Sequence, residues 1–329
     1  MKKIRWGVIS TAKIGVEKVI PAMQLGKYST VDAISSRDLS KAKKAARLLG
    51  IPKTYGSYEE LLADPEIDAI YNPLPNHLHV EWSLKALKAG KHVLCEKPIG
   101  MNYKEAVYLQ KESKKFRGLK LMEAFMYRHH PQTLKIKELI DNGSIGDIRN
   151  IHTMFSYFNV DPKDVRNQGD IGGGGLLDIG CYTISFSRFI FGSEPVRVSA
   201  KIEFDKNFKT DILVSAVMEF KKGTSNFSCS TQMYNTQFAE ILGTKGKIFV
   251  PVPFTPSPTE HAKIFLHQGN KTKENKFKVC DQYTIQCDLF SKSILNNIPV
   301  PTPFKDAVAY MKVIDKIFES AKSNSWVKV

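Results

Sequence analysis

The sequence predicts an α/β chain in two parts: an N-terminal Rossmann-type parallel sheet, then a C-terminal α+β part with an open, mostly antiparallel sheet. Three observations carry this reading. Up to about residue 122, short apolar runs alternate with helical periodicity. From residue 146, longer runs of period-2 alternation follow one another with few helices between. The length, 329 residues, suits about two domains of ~100–200 residues each. The expected domains are residues 1–122 and 123–329.

Residues 4–9 read as the first strand, and the helical stretch after them runs to about Leu25. Between them lies Ser10-Thr11-Ala12-Lys13-Ile14-Gly15, where a G-x-G-x-x-G dinucleotide fingerprint would fall. Ser10 and Ala12 replace the first two glycines and only Gly15 is kept, so the motif alone is weak. Small residues still let the backbone approach a pyrophosphate, and helix N-terminal amides still bind one. The second strand, 31–34, ends in Ser36-Arg37-Asp38, with Lys41 in the next helix. A free ribose 2′-OH usually meets an acidic residue at this strand end. A hydroxyl followed by a guanidinium suits a 2′-phosphate instead, and Asp38 is placed to cap the helix from Leu39. NADP is therefore favoured over NAD.

A helix over Tyr58–Ala63 and a strand over 68–71 follow, then the loop Asn72-Pro73-Leu74-Pro75-Asn76-His77-Leu78-His79 and a helix to Lys88. Asn76 reads as the N-cap of that helix. His77 and His79 look like a metal pair, but on a helix they point about 200° apart and no third ligand is near. Polar contact with a cofactor is the better reading, and no metal is expected. A strand over 93–95 then ends in Glu96-Lys97-Pro98, which sets a lysine on stiff backbone at the carboxyl end of a parallel strand. After a basic helix over 102–115 comes a strand over 119–122. These runs locate five strands, and the Rossmann pattern implies a six-stranded parallel sheet.

In the second part a helix runs to Asp141, and strands are expected at 146–158, 196–204, 212–220, 225–232, 238–242 and Lys247–Val250. Helices over 282–296 and 305–323 close the chain. Between the early strands lies Arg166, then four glycines, Gly172 to Gly175, then a helix starting near Leu176. The glycines suggest backbone that another group can approach closely. Asp178 and Tyr182 are i, i+4 neighbours on one helical face, and Gly180 leaves room beside them.

The totals exclude some classes. Apolar content of 42% and charged content of 25% are ordinary for a soluble chain. No run of ~18 apolar residues is present, and the N-terminus lacks a signal-peptide pattern. The five cysteines form no CxxC pair and suit reduced thiols in the cytoplasm. The net charge of +15 invites a nucleic-acid reading. The lysines are spread over helical faces, however, and no such motif accompanies them. They read as solvated surface, with part of the excess serving anionic ligands such as cofactor phosphates.

The Ser10–Gly15 turn, Tyr71 to His77, Ala89 to Pro98, Glu123 to Arg128 and Gly172 to Tyr182 together resemble the Gfo/Idh/MocA oxidoreductases over nearly the whole chain. The resemblance implies a nicotinamide near Lys97, with Tyr182 and Asp178 lining the substrate side. Many members carry histidine where this chain has Tyr182, so inositol oxidation is not expected. The tyrosine is similar to the glucose–fructose, dihydrodiol and keto-sugar reductase branches, and the altered turn resembles that of the NADP-using members. The implied activity is NADP-dependent hydride exchange at a hydroxyl or carbonyl of a sugar, polyol or dihydrodiol. A nucleotide-sugar 3-ketoreductase is the alternative, and an NADP-binding sensor the non-enzyme alternative. Tyrosine, with a pKa of about 10, needs a nearby ammonium to serve as a base at neutral pH. That assigns Tyr182 as general acid/base, Lys97 as the polarising and tuning group, and Asp178 as partner of a substrate hydroxyl. Arg128 and His130 are candidate substrate contacts, and Arg166 one for substrate or cofactor. Candidate cofactor contacts are Ser10, Thr11, Ala12, Ile14, Ser36, Arg37, Lys41, Leu74, Pro75, Asn76, His79, Glu96 and Lys97. The family also leads one to expect a homodimer or homotetramer through the C-terminal sheet.

Overall fold

The computed structural model describes residues 2–329. In chain order the elements are β1 (Ile4–Ile9), α1 (Ile20–Gln24), β2 (Ser29–Ser35), α2 (Leu39–Leu49), β3 (Lys53–Tyr55), α3 (Tyr58–Ala63), β4 (Ala69–Asn72), α4 (His79–Lys88), β5 (His92–Glu96), α5 (Tyr103–Ser113) and β6 (Leu121–Ala124). Then come α6 (Pro131–Asp141), β7 (Ile148–Phe158), α7 (Cys181–Phe191), β8 (Arg197–Phe204), β9 (Asp211–Phe220), β10 (Gly223–Ser230), β11 (Gln232–Gly243) and β12 (Lys247–Val250). The chain closes with β13 (Lys263–Gln268), β14 (Lys271–Lys276), α8 (Gln282–Leu295), α9 (Phe304–Ser323) and β15 (Val327–Lys328).

One compact unit is the chain up to Met126 together with Asp281–Val308; the other is Tyr127–Cys280 with Ala309–Val329. The grouping departs from a single cut at residue 122, because α8 returns to the first unit. There Trp6 donates its indole N–H to Ser291 Oγ at 3.2 Å and packs its ring 5.7 Å from Phe290. The Asp288 carboxylate accepts the Lys27 and Tyr28 amides, each at 2.9 Å. Trp6, Cys287 and Phe290 join one buried core with residues of β1, β2, β4 and β5. Burying a side chain such as Phe290 contributes on the order of 2–3 kcal/mol.

The first unit holds a parallel sheet in the order β3-β2-β1-β4-β5-β6. Its sixth strand is β3, three half-buried residues with no apolar run to announce them. The order reverses between β1 and β4, which makes the carboxyl ends of those strands the ligand side. Helix starts follow their caps. Asp38 accepts the Ser40 amide, Ser57 the Glu60 amide and Asn102 the Glu105 amide. Before α1 the helix widens into a π turn over Gly15–Val19. Pro21 has no amide to give Glu17, and a wider turn accommodates the missing bond.

The second unit holds a nine-stranded sheet in the order β14-β13-β12-β11-β7-β10-β9-β8-β15. All its pairs are antiparallel except β7 with β10. Along β9, Val214, Ala216 and Met218 are buried while Ser215 and Val217 are exposed, so one face lies against α7. The other face carries a run of rings, with His152 5.2 Å from Phe238, Phe238 6.4 Å from Phe249, and Phe249 6.4 Å from Phe265.

Candidate functional site

The expected cofactor residues of the first unit gather at the carboxyl ends of its strands. After β1, Ser10 stands at φ 75°, a left-handed conformation suited to glycine, and its hydroxyl accepts the Ala12 amide at 3.2 Å. Serine thus holds the turn where the fingerprint has its first glycine. Thr11, Ala12 and Ile14 follow, all partly exposed. Gly15 packs beneath, where a Cβ would lie 3.6 Å from both Pro73 and Tyr71.

After β2, Ser36 is buried and its hydroxyl accepts the Asp38 amide at 3.2 Å. Arg37 and Lys41 are exposed. The Asp38 carboxylate takes both the amide and the hydroxyl of Ser40, at 2.9 and 2.6 Å. These bonds hold its carboxyl below the usual range and commit it to the helix start rather than to a ribose. The end of β2 therefore offers a hydroxyl and two cations.

After β4, Leu74 is buried and Pro75 and Asn76 are partly exposed. Asn76 does not cap α4; it opens a 3-10 turn over Asn76–Leu78, and α4 starts at His79 with no side-chain cap. His79 is also not open to a ligand. It is 1% exposed, and its two ring nitrogens lie 2.6 Å from the carbonyl oxygens of Pro98 and Leu74. Burial pushes its pKa down to about 4, against the pull of those two carbonyls. A neutral ring donates to one carbonyl and sets a lone pair against the other. His79 is thus a strut between the loops that follow β4 and β5. After β5, Glu96 accepts the Tyr71 hydroxyl at 2.7 Å, Lys97 is partly exposed, and the Lys97–Pro98 bond is cis.

In the second unit Tyr182 sits in the first turn of α7, 6% exposed. Its ring lies 5.8 Å from Tyr127, 5.7 Å from Phe155 and 5.6 Å from Phe254. The helix enters through a π turn over Leu176–Gly180, not the regular α start that the i, i+4 spacing suggests. On that turn the Asp178 carboxylate accepts the Tyr157 hydroxyl at 2.7 Å and Arg166 Nε at 2.9 Å. Burial and Asp178 together raise the Tyr157 pKa well above its usual value, so its hydroxyl stays a donor. Tyr157 was not singled out from the sequence. Its only signal is its place on the inward register of β7, two residues past Phe155.

Three expected roles change. Arg128 is 7% exposed, and its guanidinium donates to Ser185 Oγ at 2.9 and 3.2 Å beside the Phe189 ring, so it braces α7 from within. His130 is 2% exposed and caps α6, with Nδ1 accepting the Gln132 amide at 3.1 Å. Burial pushes its pKa down to about 4. Both side chains are buried and bound within their own unit, in structural roles. The glycines, finally, serve the protein's own close packing. A Cβ on Gly173 would stand 2.6 Å from the Arg166 carbonyl oxygen, and one on Gly174, at φ 116°, would overlap the Asp211 carboxylate. The room beside Gly180 is filled, since a Cβ there would meet Cys229 Sγ at 2.9 Å.

Asp211, at the start of β9, is 3% exposed. Burial pushes its pKa up to about 6, against the amides of Leu176, Gly175 and its own residue, which favour the carboxylate. Between about pH 4 and 6 the folded chain keeps a proton that the unfolded chain has released. The stability Asp211 contributes is therefore full at pH 4 and lost by pH 6. Thermal melts of the wild type and Asp211→Asn at pH 4.5 and 6.5 should show the wild type losing ground to the variant as pH rises. A constant difference between the two would mean Asp211 does not titrate in this window.

Among the described residues no cluster of His, Cys, Asp and Glu is arranged to hold a metal, and no helix is long and apolar enough to cross a membrane. Residues 4–125 match the model of an oxidoreductase family with an NAD-binding Rossmann fold, and residues 133–249 match the Gfo/Idh/MocA C-terminal domain. The chain belongs to the Gfo/Idh/MocA family. This Gfo/Idh/MocA oxidoreductase is 42% identical to an uncharacterized oxidoreductase of Rhizobium meliloti, with both chains covered in full. It is 35% identical to D-xylose 1-dehydrogenase (NADP+) 2 of Haloferax volcanii, over 98% of this chain and 99% of that one. Among solved structures it resembles KijD10, a 3-ketoreductase from Actinomadura kijaniata in complex with NADP and TDP-benzene, with a TM-score of 0.91, 30% identity, and 97% and 98% of the two chains covered.

Proposed function

We propose that this enzyme is an NADP-dependent dehydrogenase/reductase of sugars, with Tyr182 as general acid/base and Lys97 as the group that polarises the reacting oxygen. The observation that carries the cofactor half is Asp38. Its carboxylate is consumed by Ser40, which leaves Ser36, Arg37 and Lys41 to meet the adenosine ribose. NADP, when bound, supplies the hydride acceptor or donor at a carbon bearing oxygen. The chain supplies the rest. The turn after β1 offers backbone amides to the pyrophosphate. Tyr182 moves a proton at its phenol oxygen, within a ring cluster that excludes water. Asp178, held by Tyr157 and Arg166, orients a substrate hydroxyl as a fixed acceptor. The D-xylose dehydrogenase relative supports an aldose substrate.

A second reading, reduction of a 3-keto nucleotide sugar, is favoured by the likeness to KijD10 bound to NADP and TDP-benzene. A homo-oligomer through the ringed face of the nine-stranded sheet and a place in the cytoplasm go with either reading.

The test is a fluorescence titration with NADPH and NADH, followed by turnover on a panel of D-xylose, other aldoses, 1,2-diketones and keto-sugars. Tight NADPH and weak NADH binding, with turnover on the aldoses, is expected. Absence of binding by either nucleotide would remove the reading. Arg37→Ala should weaken NADPH about 10–100-fold, the value of one charge-assisted contact, and leave NADH within a few-fold. Equal losses for both nucleotides would show that Arg37 does not read the 2′-phosphate.

A further inference from the structure

The helix that carries Asp178 and Tyr182 lacks a cap of its own. Its N-cap residue is Gly175, which has no side chain to accept the first amides. Such amides need acceptors, and here the acceptor comes from a strand. Asp211 Oδ2 takes the Leu176 amide at 2.6 Å, and the Gly175 amide and the Asp211 amide also bond this carboxylate. The strand that holds Asp211 is tied into the sheet on both sides, with β8 and β10 as neighbours. The loop is shaped around the carboxylate. The Gly174 amide donates to the Arg166 carbonyl at 2.8 Å, and the Gly174 carbonyl accepts the Asp178 amide at 3.1 Å. Gly174 adopts φ 116°, where only a glycine clears the Asp211 oxygens. Tyr182 follows about one and a half turns later. A shift at Leu176 therefore carries to the phenol.

We propose that Asp211 is a positioning residue for Tyr182 and Asp178, and that its charged form is the one that seats their helix for turnover. This rests on Tyr182 acting as the acid/base. The titratable groups facing Asp211 are few. Asp178 on the π turn bears like charge and raises it, and the Cys229 thiol on β10 is itself raised by burial. Protonating Asp211 removes the negative end that the helix N-terminus and its amides require. Asparagine would fix that state and also turn an N–H₂ toward backbone donors. Charge and fold then pull apart. The variant gains stability relative to the wild type as pH rises from about 4 to 6, as worked out above, while it loses turnover.

The experiment measures kcat, KM, NADPH affinity and thermal melts of the full chain and its Asp211→Asn and Tyr182→Phe forms from pH 5 to 8. Turnover is followed on the best substrate of the panel above. Asp211→Asn is expected to lower kcat ~10–100-fold at pH 7.5, the scale of a displaced reacting group. NADPH affinity should stay within about twofold of the wild type. The wild type is expected to show an acid limb of kcat near pH 6, where Asp211 takes up its proton, and the variant to lack it. Wild-type turnover with the same acid limb would overturn the proposal, as would a loss of turnover that only follows a lower melting temperature. Should Asp211→Asn fail to fold, Asp211→Glu must retain the limb at reduced kcat, and full activity without a limb overturns the proposal. Wild-type turnover in Tyr182→Phe would instead remove the functional reading. In that case hydrogen exchange at the Gly175 and Leu176 amides still decides the capping role, which predicts lost protection in Asp211→Asn and is overturned by wild-type protection.

Discussion

Tyr182→Phe should lower turnover by about 10²–10⁴-fold, the usual worth of a positioned acid/base. NADPH affinity should remain at the wild-type value. The substitution deletes one oxygen from a ring that keeps its neighbours Tyr127, Phe155 and Phe254. The aromatic packing persists in the variant. Steady-state kinetics with a parallel NADPH titration check this, and undiminished kcat would end the proton-transfer assignment. The loss should fall on kcat more than on KM, because the proton moves in the transition state and not on binding.

Lys97→Ala should cost turnover on a similar scale, ~10²–10³-fold, through a different term. An ammonium aimed at an oxygen that gains charge is worth most where water is excluded. The backbone around it is braced independently of its side chain, because His79 holds the Pro98 carbonyl and Glu96 holds the Tyr71 hydroxyl. The cofactor affinity of this variant should therefore change by no more than about tenfold. Pre-steady-state mixing with NADPH separates binding from turnover. A variant that turns over normally would leave Lys97 no part in the reaction.

Five of the six strands of the first sheet are legible because each is a short apolar run closed by a turn signal, and Ile4–Ile9 and Tyr58–Ala63 match the expected elements residue for residue. Caps that bond their own helix were equally legible, as Asp38 shows. Apart from Lys263–Gln268, whose period-2 alternation was passed over, what escaped was either short and polar or held by distant backbone. The strand Lys53–Tyr55 has three half-buried residues, and Lys271–Lys276 is a charged edge whose exposure suits its place at the end of the sheet. Arg128, His130 and His79 read as ligand contacts because their chemistry is right for it. Their partners, a serine hydroxyl, a helix amide and two carbonyls, come from the fold. Asp211 gave one faint signal, a carboxylate opening the apolar run of β9. The glycines that answer it lie far up the chain, and spacing alone does not join them.

The return of α8 to the core around Trp6 sets an order of events at the ribosome. Trp6 emerges with the first residues made, yet Phe290 and Ser291 appear only after the whole of Tyr127–Cys280 has been synthesised. At the usual rate of elongation that is a delay of roughly ten to thirty seconds. For that time the sheet built from β1 to β6 carries an uncovered apolar patch. The patch stays open until the residues from Asp281 onward are translated, and a message truncated before Asp281 yields a first unit with no cover for its own core.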